Sequence, residues 1–332
     1  MHKSSISRRI VFTSLACLVL LATTSTQAQT SVWPASKPIT LIVPYSAGGS
    51  IDFAARLIAP KLSARLGQTI LIENVTGAGG AVGVTKAVNA APDGYTLVAA
   101  PDSAIAIGKL INPAAFKFDP LLDLAPVGML NTAPMMLVAR PGLPVKNFED
   151  FVKLAKAEPG KYNYATSGVG TVLHLTMEML KQRSGIYVTH IPYRGGAQIV
   201  TDLIGNQIDM AMLVSATTIP HIKDHKMIPM GVTVKDRMAA APSVPSFSES
   251  PALKGFHMTS WTALFAPAKT PPAVVKRLNE ALNAVLKEPD VIAKLAEQGA
   301  LPGSGTAEEL GQFAKAEFDR NAKLIRTIDI KP

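Results

Sequence analysis

Cysteine is almost absent from this chain. Its single cysteine, Cys17, lies within the first 28 of 332 residues, a segment with the features of a removable signal. Cleavage would leave no thiol, which excludes disulfide bonds and cysteine-ligated metal sites in the mature protein. Acylation of Cys17 after a lipoprotein-type cut at "SLAC" is the alternative, but apolar residues continue beyond the cysteine, as is typical of a plain signal core.

Long apolar runs are absent after the signal-like segment. Lys3, Arg8 and Arg9 precede an apolar stretch over residues 10–22 that is too short to span a bilayer, and small residues at 26–28 offer a cleavage site. We therefore predict a signal peptide over residues 1–28 and an exported mature protein. No later stretch reaches the roughly 18 apolar residues that a membrane-spanning helix needs.

Basic clusters of the kind that bind nucleic acid are missing. The formal charge is +9, and removal of residues 1–28 lowers it to +6 because that segment holds three basic and no acidic side chains. The remaining basic residues are scattered, without a Lys/Arg run and interleaved aromatics, so no nucleic-acid partner is expected. The positive excess favours the approach of an anionic small molecule.

Nucleotide and metal motifs are missing as well. The glycines at 77, 79 and 83 are spaced one residue too widely for the dinucleotide fingerprint, and Lys86 has the wrong spacing for a P-loop. His221 and His225 stand four residues apart, but no third ligand lies at a recognisable distance. We expect no cofactor and no metal.

Short apolar runs alternate with amphipathic patterns, which indicates an α/β fold. Two longer extended segments, near residues 126–138 and 256–266, suggest that the chain leaves one domain and later returns to it. Strands are predicted at 39–44, 69–74, 95–100, 162–165, 188–192, 209–214 and 227–233. Helices are predicted at 50–66, 80–90, 147–157, 171–183, 196–204, 271–286, 289–298 and 306–328, the last with the capping-box spacing of Thr306 and Glu309.

Four glycine-rich turns stand between a predicted strand and a predicted helix: "YSAGGSID", "TGAGGAVG", "TSGVGTVLH" and "YRGGAQ". Glycine allows close approach of a ligand to the backbone, and a helix start offers unpaired N–H groups with partial positive charge, so such turns suit anions. Each turn alone could equally be a structural connection. Four of them indicate a shared cleft at the carboxyl ends of strands.

Three side chains near these turns have both a structural and a functional interpretation. Asp52, in the first helical turn, is explained by the helix dipole, but it could also orient the loop amides or accept a hydrogen bond from a ligand. His174 could hydrogen-bond within the cleft or be a core histidine. Ser167 lies outside the G-x-S-x-G nucleophile motif, so a hydrolase using Ser167 and His174 is a minor alternative, and we predict that the protein is not an enzyme.

Six motifs along the chain together resemble a known family. The ordered series "VPYSAGGSIDFAARL", "APDGYTL", "NYATSGVGTVLHL", "IPYRGG", "DLIGNQID" and "SWTALFAPAKTPPAVVKRLN" resembles the periplasmic solute-binding receptors of tripartite tricarboxylate transporters, the TctC/Bug group. The resemblance runs from about Pro34 to the C-terminus, and it lies in the series rather than in any one motif.

The resemblance implies a two-domain type II periplasmic binding protein, or Venus flytrap, in which two extended hinge segments join two sheets flanked by helices. Domain 1 would comprise residues 31–131 and 253–332, and domain 2 residues 132–252. Members bind mostly small carboxylates through backbone amides and ordered water, and pass them to membrane transporter subunits. A periplasmic monomer is expected, and a sensor that presents its closed form to a signalling partner is the alternative.

The same resemblance implies a ligand-binding set drawn from four loops. The set comprises Tyr45, Ser46, Ala47, Gly48, Gly49, Ser50, Asp52, Asp102, Ser103, Thr166, Ser167, Gly170, Thr171, His174, Tyr193, Arg194 and Gly195. The sequence departs from the family pattern where Ala47 replaces a proline before the paired glycines and Gln198 replaces a proline after the Tyr-Arg-Gly turn. "NVTGAGG" also differs from the family's Asn-Arg-Pro-Gly-Ala-Gly-Gly.

Overall fold

The computed structural model describes residues 33–328, so the predicted signal peptide lies outside the described residues. The strands fall where β-branched and apolar residues cluster. They are β1 Ile39–Val43, β2 Ile70–Asn74, β3 Thr96–Pro101, β4 Leu124–Ala139, β5 Asn163–Thr166, β6 Thr189–Pro192, β7 Met210–Val214, β8 Ile228–Val232, β9 Thr259–Pro267 and β10 Leu301–Pro302.

The helices alternate with the strands as the sequence predicted. Each predicted helix is present within a few residues of its expected bounds, and α10 begins after Thr306 with the predicted capping box. The helices are α1 Ser50–Leu66, α2 Ala81–Val88, α3 Gly108–Ile111, α4 Phe148–Ala157, α5 Val172–Ser184, α6 Gly196–Ile204, α7 Ser215–Lys223, α8 Pro272–Leu286, α9 Pro289–Glu297 and α10 Ala307–Ile325.

The strand order contains two similar halves. In the first, β2, β1 and β3 are parallel, and β9 runs antiparallel beside β3; in the second, β6, β5 and β7 are parallel, and β4 runs antiparallel beside β7. We call these halves the first lobe and the second lobe. Parallel strands need crossover connections, which the intervening helices supply.

The long strand β4 belongs to both lobes. It pairs with β9 over Leu124–Pro134 and with β7 over Met135–Ala139, so one chain segment links the two halves. The predicted hinge segments coincide with β4 and β9. The architecture is therefore the expected two-lobed α/β fold with sheets flanked by helices, while the numbered domain boundaries stay a prediction.

Several local features differ from the sequence predictions, and one of them is the short helix α3 at Gly108–Ile111, which was not predicted. A helix, α7, follows β7 although none was predicted there. It contains Pro220 and no glycine precedes it, so its sequence lacks the signals that marked the other helices. A π-helical turn at Ser103–Ile107 follows β3. A two-residue strand, β10, pairs with β4 in the C-terminal third, which the sequence predicted to be helical without strands.

Candidate functional site

The strand order places the loops of both lobes in the position expected for a ligand site. In each lobe the order reverses between two neighbouring strands, β1 and β3 in the first and β5 and β7 in the second. Ligands of open parallel sheets bind beyond the carboxyl ends of strands at such a reversal. The loops that follow these four strands meet around one cavity.

The cavity has a volume of about 50 Å³, which is room for a few water-sized groups. Both lobes and one linking strand contribute to its wall. It is lined by Tyr45, Gly49, Ser50, Ile51, Pro101, Asp102, Ser103, Ser167, Val172, Leu173, Gly196, Leu213, Val214, Thr217 and Ser260.

Four helices begin at this cavity. The lining includes the first residues of α1 (Ser50), α5 (Val172) and α6 (Gly196), together with Val214 and Thr217 at the start of α7. Each helix start carries N–H groups without intrahelical partners and a partial positive charge. Among the described residues that line the cavity, none is Lys, Arg or His. Backbone dipoles, rather than cationic side chains, would therefore hold an anion here.

The first loop is held from outside the cavity by Asp52. This buried carboxylate accepts hydrogen bonds from the Gly48 amide (2.9 Å), Arg56 Nε (2.9 Å) and Asn74 Nδ2 (3.0 Å). Burial alone would raise the pKa of Asp52, but these bonds hold it below its usual value. Asn74 also donates to the carbonyl of Tyr45 (3.0 Å). Asp52 therefore orients a loop amide, which was one of its three predicted roles.

Tyr45 and Asp102 both line the cavity and interact electrostatically. The Tyr45 hydroxyl donates to the carbonyl of Gly79 (2.9 Å) and lies beside the hydroxyls of Ser103 and Ser167. Burial, reinforced by the nearby Asp102 carboxylate, raises the pKa of Tyr45 above its usual range. The phenol therefore stays protonated at physiological pH and keeps its hydrogen bond to the Gly79 carbonyl.

The second-lobe loop, residues 166–171, is supported by two stacked imidazoles behind it. The rings of His174 and His190 lie 4.1 Å apart at 12°. His190 Nε2 lies 2.7 Å from Thr166 Oγ1, and His174 Nδ1 accepts from the Gly170 amide (3.4 Å). Thr171 caps α5 by accepting from the His174 amide (3.3 Å). These contacts fix the loop without placing either imidazole at the cavity wall.

The lobes touch directly across the cleft. The Val172 amide of the second lobe donates to Ser103 Oγ of the first (3.0 Å). Gly195 packs so closely on Ser46 that a Cβ at position 195 would overlap the Ser46 hydroxyl. That hydroxyl oxygen is buried and has no hydrogen-bond partner within the described chain. The cleft is therefore closed around the cavity, and glycine at 195 permits this closeness.

Six of the residues predicted from the sequence line the cavity: Tyr45, Gly49, Ser50, Asp102, Ser103 and Ser167. The others lie in the same loops but outside the lining. Arg194 is exposed, and Tyr193 directs its hydroxyl to Asp202 at 2.7 Å. The remaining members outside the lining are Ser46, Ala47, Gly48, Asp52, Thr166, Gly170, Thr171, His174 and Gly195.

Two polar lining residues were missed by the sequence predictions. Thr217 follows β7 in "MLVSATT", a strand-to-helix connection that a search for glycine passes over. Ser260 lies on β9, and the antiparallel pairing of β9 with β3 brings it to the end of β3. Thr217 could have been found from the small polar residues that follow an apolar strand. Ser260 could not, because its position depends on long-range strand pairing.

Alternative chemistries find little support in this geometry. The His174 ring is stacked against His190, and its Nδ1 accepts a hydrogen bond from the Gly170 amide. These contacts do not position it as a base for Ser167. Among residues 33–328, no group of three or more His, Cys, Asp or Glu side chains is placed to hold a metal ion. No helix in the same described range is long and apolar enough to cross a membrane.

Comparison with known proteins identifies the family. Residues 54–330 match the model of the tripartite tricarboxylate transporter family receptor, TctC. A UPF0065 protein of Agrobacterium vitis, from the TAR-I ttuE-ttuC' intergenic region, is 38% identical over 302 residues, which cover 90% of this chain and 86% of that protein. Protein BugT of Bordetella pertussis is 32% identical over 94% of this chain and 96% of its own length.

Two ligand-bound structures are similar to this one. Rpa4515 of R. palustris with adipate has a TM-score of 0.86 at 30% identity and covers 90% of this chain and 99% of its own. MatC of Rhodopseudomonas palustris with bound malate has a TM-score of 0.84 at 30% identity and covers 88% and 99%. The chain therefore belongs to the family of tripartite tricarboxylate transporter receptors, the periplasmic solute-binding proteins of the TctC and Bug type.

Proposed function

We propose that this protein is a periplasmic receptor that captures a small carboxylate in the cavity between its lobes and delivers it to a tripartite tricarboxylate-type membrane transporter. The carrying observation is the convergence of four helix starts on a cavity without cationic side chains. Backbone N–H groups and the hydroxyls of Ser50, Ser167 and Thr217 would bind the carboxylate, with ordered water completing its shell. The protein would act as a monomer, without cofactor, metal or covalent chemistry.

Binding would be coupled to closure of the lobes. A ligand that touches the starts of α1 and α5 at once makes more contacts in the closed state than in the open one, so it favours closure. β4 and β9, which link the lobes, would bend during this motion. A membrane partner could then distinguish loaded from empty receptor by the closed surface alone. The bound adipate and malate in two relatives support an acid as the ligand class.

Calorimetric titration tests this proposal. Mature protein, refolded to remove any co-purified ligand, is titrated with a panel of small carboxylic acids and with the amides of the same acids. We expect at least one acid to bind saturably and its amide to bind far more weakly, since the amide lacks the charge that the helix starts stabilise. Equal binding of acid and amide, or no binding across the panel by folded protein, would contradict the proposal.

A further inference from the structure

The cavity wall combines two kinds of electrostatic feature. The starts of α1, α5, α6 and α7 bring the partial positive charge of helix N-termini to it. The same wall holds Asp102, which is the one Asp or Glu among the cavity-lining residues of the described chain. Because no Lys, Arg or His is found in that lining, nothing cationic from a side chain offsets this carboxylate within the cavity.

Asp102 is held in place by four protein donors. It accepts the backbone N–H groups of Ser103 (2.5 Å) and Trp261 (3.0 Å) and the hydroxyls of Ser103 (3.0 Å) and Ser260. A hydroxyl that donates to the carboxylate keeps its own oxygen lone pairs as acceptors. Ser103 already uses one of these for the Val172 amide, while Ser260 lines the cavity. Asp102 and Ser260 therefore present negative charge and acceptor atoms to the cavity.

A ligand must match both the helix starts and the Asp102 carboxylate. A plain dicarboxylate would bring its second negative charge towards Asp102, and like charges in an enclosed site oppose each other. A molecule with one carboxylate and one protonated amine would place each charge opposite its complement. Resting on the function proposed above, we infer that the cavity selects small acids that also carry a protonated amine, with the ammonium directed to Asp102 and Ser260.

The charge state of Asp102 should determine how strongly the cavity prefers an amine. Burial raises the pKa of Asp102 to about 6, although hydrogen bonds from Trp261, Ser103 and Ser260 oppose the rise. The carboxyl is therefore charged near pH 8 and mostly neutral near pH 5. Over this range an amino acid keeps the same charges on its own amine and carboxylate. The preference for an amine should thus weaken as the pH falls through about 6.

The titration of Asp102 can be distinguished from that of the other ionisable groups nearby. Tyr45 lines the same cavity, but burial raises the pKa of that phenol above its usual range. Burial lowers the pKa of His174, beside the cavity-lining start of α5, to about 4. Glu317 of α10 contacts the Trp261 side chain, and burial raises its pKa. Lys109 of α3 is directed to Asp119 at 3.6 Å. Glu317→Gln therefore serves as the control for a second nearby acid.

The test compares matched ligand pairs on the mature wild-type protein by calorimetry. Alanine is compared with lactate and serine with glycerate, each pair differing by an ammonium or a hydroxyl at one carbon. We expect the amine-bearing member of a binding pair to bind roughly tenfold to hundredfold more tightly at about pH 8, and this ratio to shrink towards unity at about pH 5. A ratio near one at the higher pH, or one that does not change with pH, would overturn the inference.

Variants assign the effect to Asp102. Asp102→Asn should abolish the preference at about pH 8, whereas Glu317→Gln should keep both the preference and its pH dependence. In this variant an amide NH2 replaces a carboxylate oxygen that accepts a backbone N–H, which is destabilising. Thermal unfolding must therefore show that the variant is folded. The pH series on the wild-type protein does not depend on this variant. If lactate or glycerate binds without an amine preference, only this inference fails. If no acid or amino acid binds, the proposed function fails.

Discussion

Single atoms decide how closely the two lobes pack against each other. The Cα of Gly195 lies against Ser46, and a Cβ there would overlap the Ser46 hydroxyl and come within 3.1 Å of the Ser46 amide nitrogen. The backbone φ of Gly195 is 165°, an extended value that alanine also adopts. The need for glycine at this position therefore comes from the opposite lobe, not from its own backbone.

We predict that Gly195→Ala weakens ligand binding while leaving the fold intact. The extra methyl group keeps the lobes apart, so fewer cross-cleft contacts form around the ligand. Titration calorimetry should show at least a tenfold loss of affinity, about 1.4 kcal/mol, and thermal unfolding of the free protein should change little. Ser46→Ala in the same chain should restore part of the affinity, because it removes the overlapping hydroxyl.

Gly311→Ala is the matched control for that substitution. Gly311 lies in α10, and a Cβ there would meet Pro126 Cγ at 3.5 Å, an ordinary contact. Alanine in a helix is favoured over glycine by about 1 kcal/mol, so this variant should be as stable or more stable and bind normally. Wild-type affinity in folded Gly195→Ala would show that closure does not bring 195 against 46.

The stacked histidines make the protein sensitive to acid. Burial and the nearby positive charge of Lys181 lower the pKa of His174 to about 4, and burial and His174 lower the pKa of His190 to about 3. The native state therefore holds both rings neutral, while the unfolded chain takes up protons below about pH 6.5. The stability that results is complete above pH 6.5 and is lost as the pH falls towards 4.

We predict that His174→Asn flattens this pH dependence. Asn can still accept the Gly170 amide but cannot be protonated, and His174 accounts for up to about 3 kcal/mol of stability lost between pH 6.5 and 4. The free energy of urea unfolding, measured across that range for variant and wild type, gives the difference. Asp102 titrates in both proteins, so its contribution largely cancels. Parallel profiles would contradict the assignment.

At the scale of elements, helix starts carry both stability and binding. α10 begins with a capping box in which Thr306 accepts the Glu309 amide (3.1 Å) and Glu309 accepts the Thr306 amide (2.7 Å). The helix covers β4 and the turn at Ser103–Ile107 but contributes nothing to the cavity lining. Its cap should therefore affect folding alone.

We predict that Thr306→Ala lowers the free energy of unfolding by about 1 kcal/mol, since the first turn of α10 loses a cap. Thr306→Ser, which keeps the hydroxyl, should lie close to wild type. Chemical denaturation measures both, and ligand affinity should be the same in all three proteins. A stability loss as large in the Ser variant as in the Ala variant would assign the effect to the methyl group and not to the cap.

At the scale of the whole molecule, the proposed function requires the lobes to separate when ligand enters the cavity. A Cβ at Gly48 would lie 3.6 Å from the Cβ of Ala197 across the cleft, within the range of a disulfide. Residues 29–332 contain no other cysteine. A chain lacking the predicted signal peptide and carrying Gly48→Cys and Ala197→Cys would therefore have a single possible bridge.

We predict that the oxidised double variant binds ligand much more slowly than its reduced form, because the bridge holds the lobes closed. Stopped-flow association with and without reductant measures the ratio, and Gly48→Cys alone is the control. The positive φ of Gly48, +79°, costs the cysteine roughly 1–2 kcal/mol, so folding of both variants is verified first. Equal rates in both redox states would show that ligand enters by another route.

Local pattern predicted much of this molecule. Apolar periodicity located the strands and most helices, because each element buries one face and its sequence records that face. Glycine-rich turns before helices identified three of the loops that supply cavity residues, because tight turns and helix caps depend on neighbouring residues alone. The family resemblance added the two-lobed architecture and the position of Asp102 and Ser103.

The sequence by itself thus determined the elements, the fold family and the loops that carry helix starts. Only the tertiary structure decided which side chains line the cavity, because that depends on contacts between residues far apart in the chain. It set Asp52 and His174 behind their loops, left Arg194 exposed, and brought Ser260 beside Asp102 through the pairing of β9 with β3. Proximity of this kind is fixed by strand order and packing, which no local pattern records.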